Sequence, residues 1–154
     1  MLLHPDCAAL EPFLGTWQGE GRGDYPTIER FAYSETLVID HVGKPFVSFD
    51  QRTKFVDSGL PLHAEYGYIR ALGGSSIEFV VAIPSGIAEL HAGTVNDGLI
   101  ELASTSIART DTAKVVTEVR RRIVVDGDRL HYVLDMAAVD QDLQFHLEAE
   151  LHRV

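Results

Sequence analysis

Between Thr16 and Arg153 the chain is written almost entirely in short alternating runs, and that property confines it to a few folds. "GTWQGEGRGD" sets Trp17, Gly19 and Gly21 against Thr16, Gln18 and Glu20, and "ERFAYSETLVID" puts Phe31, Tyr33, Leu37 and Ile39 on one side. "PFVSFDQRTKFV" does the same with Val47, Phe49 and Phe55, and "LHAEYGYIRAL" with Leu62, Ala64, Tyr66 and Tyr68. A period of two sends successive side chains to opposite faces, so each run reads as a half-buried strand. Between the runs stand turn formers: "VGKP", "DSGLP", "GGSS", "PSG", "NDG" and the strong hairpin signal "DGD". The runs number about ten, and consecutive strands joined by tight turns pair antiparallel. So many strands in one open sheet would twist strongly and leave two unpaired edges. The expected fold is therefore all-β, an antiparallel up-and-down β-barrel of about ten strands with a short N-terminal helix. The helix is read over Pro5 to Leu14, with Asp6 in its first turn, Gly15 beyond its end, and Ala8, Ala9, Leu10, Phe13 and Leu14 covering one end of the barrel. A barrel this wide is not filled by its own side chains, which leaves a cavity or mouth for a ligand.

A length of 154 residues suits one domain, residues 1–154, with a real core. The formal net charge of -10 repels phosphates and anionic lipid, which disfavours a nucleic-acid or membrane-surface role. The one basic run, Arg120 to Arg122, follows Glu118 and reads as a solvated strand face. Cys7 is alone, so an internal disulfide or a multi-cysteine zinc site is excluded. No signal-peptide pattern stands at the N-terminus, and no apolar run reaches the ~20 residues of a membrane span. The expected setting is cytoplasmic.

Several residues carry both a structural and a functional reading. In "GTWQGEG" Gly15, Trp17, Gly19 and Gly21 fit a first barrel strand whose indole plugs one end; the glycines would equally admit a flat ligand. Thr27 follows Pro26 in a loop, where a hydroxyl bonds its own backbone or faces the barrel mouth. Lys114, in "TAKVV", lies just inside a long strand, as an exposed lysine or as a rim ammonium suited to a carboxylate. None of the seven histidines has a metal spacing such as HExxH, and no GxSxG elbow is present; most read as surface or turn residues. A histidine that binds metal without protein co-ligands needs a macrocycle to complete the coordination, as in a haem protein. His146 is the residue in question. In "DLQFHLEAELHRV" it shares a face with Gln144, Glu148, Glu150 and His152, opposite Leu143, Phe145, Leu147, Ala149 and Leu151.

The segments "LGTWQGEGRGDYPTIERFAY", "HVGKPFVSFDQRT", "PLHAEYGYIR", "PSGIAELHAGTV", "IARTDTAKVVTEV" and "FHLEAELHR" together resemble the nitrobindin family, in the family's order and from His4 to Arg153. The resemblance implies a barrel related to the fatty-acid-binding proteins, carrying one ferric haem b per chain at its mouth. It implies that His146 is the proximal haem ligand, that Thr27 and Lys114 contact the haem, and that His63 lines the cavity. The implied partners are the small molecules nitric oxide and peroxynitrite, and the implied activity is that of a peroxynitrite isomerase producing nitrate. The chain departs from the family in "VDQDL", where Asp140 and Asp142 stand in place of a glycine and a proline.

If the apolar row of the last strand fills the barrel, His146 points away from an interior haem. Three arrangements would reconcile this: a mouth lined by the polar row, a bulge that flips the register, or an outward row covered by the N-terminal helix. Alternation does not choose among them. A carrier of a fatty acid or another small amphipathic ligand, without haem, is the competing expectation; Lys114 or an arginine would then hold its carboxylate.

Overall fold

A computed structural model describes residues Met1–Val154. Ten strands follow an N-terminal helix: β1 (Gly15–Tyr25), β2 (Ile28–His41), β3 (Phe46–Phe55), β4 (Pro61–Ala71), β5 (Ser76–Ile83), β6 (Ile87–Asn96), β7 (Leu99–Arg109), β8 (Val116–Asp126), β9 (Arg129–Ala138) and β10 (Gln144–Arg153). Each pairs antiparallel with its sequence neighbours, and β1 pairs with β10 from Trp17↔Arg153 to Gly23↔Leu147, closing the barrel. The expected architecture is the one found.

The closing seam explains the glycine motif. A Cβ at Gly19 would strike the Glu150 carbonyl across the seam, and one at Gly21 would strike the Tyr33 ring inside. Trp17 is wholly buried, and its Nε1 donates to the Phe13 carbonyl at 2.8 Å, tying the first strand to the helix.

That helix, Pro5–Phe13, is 3-10 rather than α. Pro12 has no N–H to give and would crowd an α-helical carbonyl four residues back, and Leu14 N–H instead donates to the Glu11 carbonyl, three back. Cys7, Leu10 and Phe13 are buried against the barrel, and the Cys7 thiol donates to the Lys44 carbonyl at 3.6 Å in the β2–β3 turn. In an up-and-down barrel alternate turns lie at alternate ends. The β1–β2, β3–β4, β5–β6, β7–β8 and β9–β10 connections therefore surround the opposite, open end.

Register decides one face that the sequence left open and corrects one expectation. In β4 the aromatic row faces out: Tyr66 and Tyr68 are 53% and 41% exposed, while Glu65, Gly67, Ile69 and Ala71 point in. Phe49 is buried and pairs with Gly67, and directly paired residues share a face, so β3 sets the parity of β4. Lys114 lies in the β7–β8 connection, not within a strand. β7 and β8 pair only from Leu99↔Val124 to Ala103↔Arg120 and then diverge, which hands residues 110–115 to a loop at the mouth.

Candidate functional site

A cavity of about 490 Å³ opens at the mouth, and Thr27, His63, Lys114 and His146 all line it. The structure thus brings together the four side chains singled out from sequence, contributed by the β1–β2 turn, β4, the β7–β8 loop and β10. Thr27 and Lys114 are exposed at the rim, and His63 stands half-buried on the wall. Gly15, Trp17, Gly19 and Gly21 do not line the cavity. Their place is the seam and the closed end.

The last strand resolves its own ambiguity with a bulge. β10 pairs with β9 at Phe145↔Asp135 and next at Leu147↔Leu134, leaving His146 as the extra residue. An extra residue resets the alternation, so His146 and Leu147 both line the cavity, while Phe145 lies outside beneath the Arg22 guanidinium, 4.8 Å from its ring centre. Upstream, Val139 and Asp140 take φ of +46° and +63°. This is the left-handed region that a glycine occupies freely and a β-branched residue resists.

His146 Nδ1 lies 3.4 Å from the Asp24 carbonyl, and since a carbonyl only accepts, Nδ1 is the protonated nitrogen of that contact. The unprotonated Nε2 is left for a ligand. Tyr25 meets the imidazole edge-on at 5.2 Å between ring centres. Its hydroxyl accepts from Ala138 N–H at 2.9 Å and sits 3.1 Å from the Met136 carbonyl, clamping the β9–β10 corner to the end of β1. Burial lowers the His146 pKa from its ordinary value, the Asp24 contact opposes this, and His63 adds to the lowering. The imidazole is therefore neutral at pH 7, the form that binds metal.

The cavity floor was not foreseen. Arg121 donates from Nη1 to Glu65 Oε2 at 2.6 Å, and from Nη2 to Glu65 Oε1 at 3.1 Å and Glu89 Oε2 at 2.9 Å. His91 Nε2 lies 2.7 Å from Glu89 Oε2, and His63 Nε2 lies 3.2 Å from Glu65 Oε1. Burial works to raise the Glu65 carboxyl, but Arg121 and His63 outweigh it and hold the group at about 2. Glu89 is likewise held below its ordinary value by His91 and Arg121 against burial. Burial also opposes the Arg121 charge, and the two carboxylates restore it.

Two sequence readings are corrected here. The middle residue of the "RRR" run is buried, and so is His91, whose side chain has no exposure. Parity carried a signal for both. Arg121 is in step with Val119, Ile123 and Val125, and His91 with Ile87 and Val95, all of them buried.

The donor set fits a haem. No cluster of three or more His, Cys, Asp or Glu side chains is placed to hold a metal ion. A metal at His146 must therefore bring most of its own ligands, which is what a macrocycle does. The family described as "THAP4-like, heme-binding beta-barrel domain" matches residues 6–153. This chain belongs to that family, the nitrobindins.

Among curated relatives, a protein of Mycobacterium avium (strain 104) named "Peroxynitrite isomerase 2" is 52% identical, over 98% of this chain and 96% of its own length. A protein of Nocardia farcinica (strain IFM 10152) named "Peroxynitrite isomerase" is 47% identical, over 98% and 92%. The crystal structure of Rv2717c from M. tuberculosis superposes with a TM-score of 0.94 at 48% identity, covering 99% of each chain. The nitrobindin fold and the mouth cavity thus occur together in a chain whose relatives carry one activity name.

Proposed function

We propose that this nitrobindin binds one haem b per chain through His146 Nε2, binds nitric oxide, and isomerises peroxynitrite to nitrate. The observation that carries the reading is the bulge at His146, which turns a single neutral imidazole into the cavity mouth. A bound haem would supply a Lewis-acidic ferric iron for small ligands. The chain's own residues hold and orient it. The Asp24 carbonyl fixes the tautomer and plane of His146, as a carbonyl behind a ligating histidine does. Tyr25 packs the ring from the side. Lys114 and Thr27, on two loops of the rim, would hold the group at its polar edge, the ammonium being suited to a carboxylate. His63 stands on the cavity wall, and Ile28, Val116 and Met136 form part of its apolar lining. One haem-binding unit spanning residues 1–154, in a cytoplasmic setting, accords with the single buried thiol of Cys7.

A carboxylate carrier needs an interior cation with a free valence. Arg121 is the cation that reaches the cavity floor, and Glu65 and Glu89 already take both of its Nη atoms, leaving only Nε without a partner. A fatty-acid head group would meet surplus negative charge there, which argues against a carrier that seats its carboxylate on the floor.

Hemin titration, followed at the Soret band, tests the proposal. Wild type is expected to saturate at one equivalent, and His146→Ala to lose tight binding and shift the spectrum. Unchanged affinity and spectrum in the variant would remove His146 from the iron. Stopped-flow peroxynitrite decay with the loaded protein, reading nitrate yield, tests the activity.

A further inference from the structure

Beneath the cavity floor lies a second buried cluster that the reaction above does not use. Tyr132 Oη donates to Glu35 Oε2 at 2.6 Å and stands 2.7 Å from Tyr33 Oη, while Gln51 Nε2 donates to Glu35 Oε1 at 2.8 Å. Both tyrosines, Glu35 and Gln51 are buried. Tyr132 and Gln51 border a small void of about 20 Å³. Glu65, Arg121, Leu134 and Leu147 line both this void and the mouth cavity. One layer of side chains therefore separates the Tyr132 phenol from the mouth cavity.

A buried carboxyl carries a desolvation cost that apolar residues of the same volume would avoid. Its position directly on a phenol proton has a chemical use. A phenol that loses an electron becomes a very strong acid, so its oxidation is favourable only where a base takes the proton in the same event. Burial pushes the Glu35 carboxyl up to about 7, against the opposing bonds from Tyr132 and Gln51. It is thus ionised in part at neutral pH and basic enough to keep a proton. Burial first, then the neighbouring Glu35, raises the Tyr132 pKa well above its ordinary value, so the phenol is the form present.

Resting on the peroxynitrite reading, we propose a second activity: Tyr132, with Glu35 as its base and Tyr33 as its hydrogen-bond partner, is an internal one-electron donor to nitrogen dioxide radical. Homolysis of the O–O bond of peroxynitrite gives that radical and an oxygen fragment that is also one electron short. Recombination of the two in the cavity gives nitrate, and otherwise the oxygen fragment stays in the pocket with its own oxidising equivalent. A nitrogen dioxide that fails to recombine takes one electron from Tyr132 and becomes nitrite. The phenol O–H breaks, its proton passes to the Glu35 carboxylate, and a neutral tyrosyl radical and a carboxylic acid remain. One electron and one proton move, and net charge is conserved. The oxidising equivalent is thereby held inside the barrel on β9, five strands around the wall from the exposed Tyr66 and Tyr68 of β4, and away from bulk solvent.

The test mixes haem-loaded protein with peroxynitrite, freeze-quenches it for electron paramagnetic resonance, and maps oxidised or nitrated tyrosines by peptide mass spectrometry. Peroxynitrite decay is recorded on the same samples. Wild type is expected to show a tyrosyl signal with modification at Tyr132 or Tyr33. Tyr132→Phe, which keeps the ring, is expected to lower the signal several-fold while leaving peroxynitrite decay unchanged. Glu35→Gln, which retains Tyr132 but removes the base, is expected to lower it as well; circular dichroism melts confirm that both variants are folded.

A signal of equal size in Tyr132→Phe would overturn the proposal. So would modification confined to Tyr66 and Tyr68, or peroxynitrite consumed by wild type without any tyrosyl signal. Failure of the isomerase reading registers separately, as decay no faster than in buffer. In that event nitrogen dioxide radical, generated by pulse radiolysis of nitrite in a solution of the same protein, must still produce a Tyr132-dependent signal, and its absence overturns the assignment.

Discussion

Tyr25 joins more of the site than any other single side chain, through an aromatic contact to His146 and a hydroxyl clamped on the β9–β10 corner. Tyr25→Phe keeps the ring and removes the clamp, leaving the buried Ala138 N–H without its partner. A loss of about 1–3 kcal/mol is expected from that unpaired group, read as a lower melting temperature together with weaker hemin binding. An unchanged hemin affinity would show that the ring alone positions His146.

Glu35 offers a second check at this scale. Its carboxyl stands at about 7 in the fold against an ordinary value of 4.5, so between those values the folded state holds more protons than the unfolded chain. Stability contributed by this group therefore falls as pH rises from about 4.5 to about 7, by roughly 3 kcal/mol across the window. Glu65 has the opposite sign, because its folded value of about 2 lies below the ordinary 4.5, and its contribution is lost as pH falls through that range. Denaturant melts of wild type and Glu35→Gln across pH 4 to 8 should diverge in slope between about 4.5 and 7. Parallel profiles would mean that Glu35 titrates normally.

Among the elements, β1 and β10 carry the closure and β10 also carries the site. Gly19→Ala places a methyl against the Glu150 carbonyl at the seam. The strands must then part, and a loss of about 1–3 kcal/mol is expected, with amide exchange quickened first along β1 and β10. The bulge of β10 is the element-scale feature that strict alternation hides. A period of two is legible in one strand taken alone, whereas a bulge is a relation between two strands. It is visible only once Phe145 is set against Asp135 and Leu147 against Leu134. The same holds for Lys114. Its segment reads as the start of a strand, and it became a loop because β7 and β8 part company beyond Ala103↔Arg120.

At the scale of the molecule the barrel is divided in two along its axis. Trp17, Leu10 and Phe13 fill the end that the helix closes, and charged and polar groups occupy the interior toward the mouth. Arg121 holds that second half together, bridging Glu65 of β4 and Glu89 of β6 from β8. Arg121→Met would leave two carboxylates buried without a cation. A loss of about 3–5 kcal/mol is expected, partly restored when Glu65→Gln and Glu89→Gln are added. A triple variant no more stable than Arg121→Met would deny the ion network that role.

The alternation, the turn residues and the family motifs determined the barrel, its closure and the gathering of Thr27, His63, Lys114 and His146. These are local signals, repeated along the chain, and a closed up-and-down barrel needs little more than strands joined in order. What only the tertiary structure decided was which charges go inside. Glu65, Glu89, Arg121 and Glu35 look like surface residues in a sequence, because a charge is buried only where a partner meets it. The partner of Glu65 lies 56 residues away along the chain, on a strand that reaches it across the interior of the closed barrel. Pairing with β3 also set the faces of β4, and pairing with β9 turned His146 inward. Each was settled by a neighbour in space rather than a neighbour in sequence.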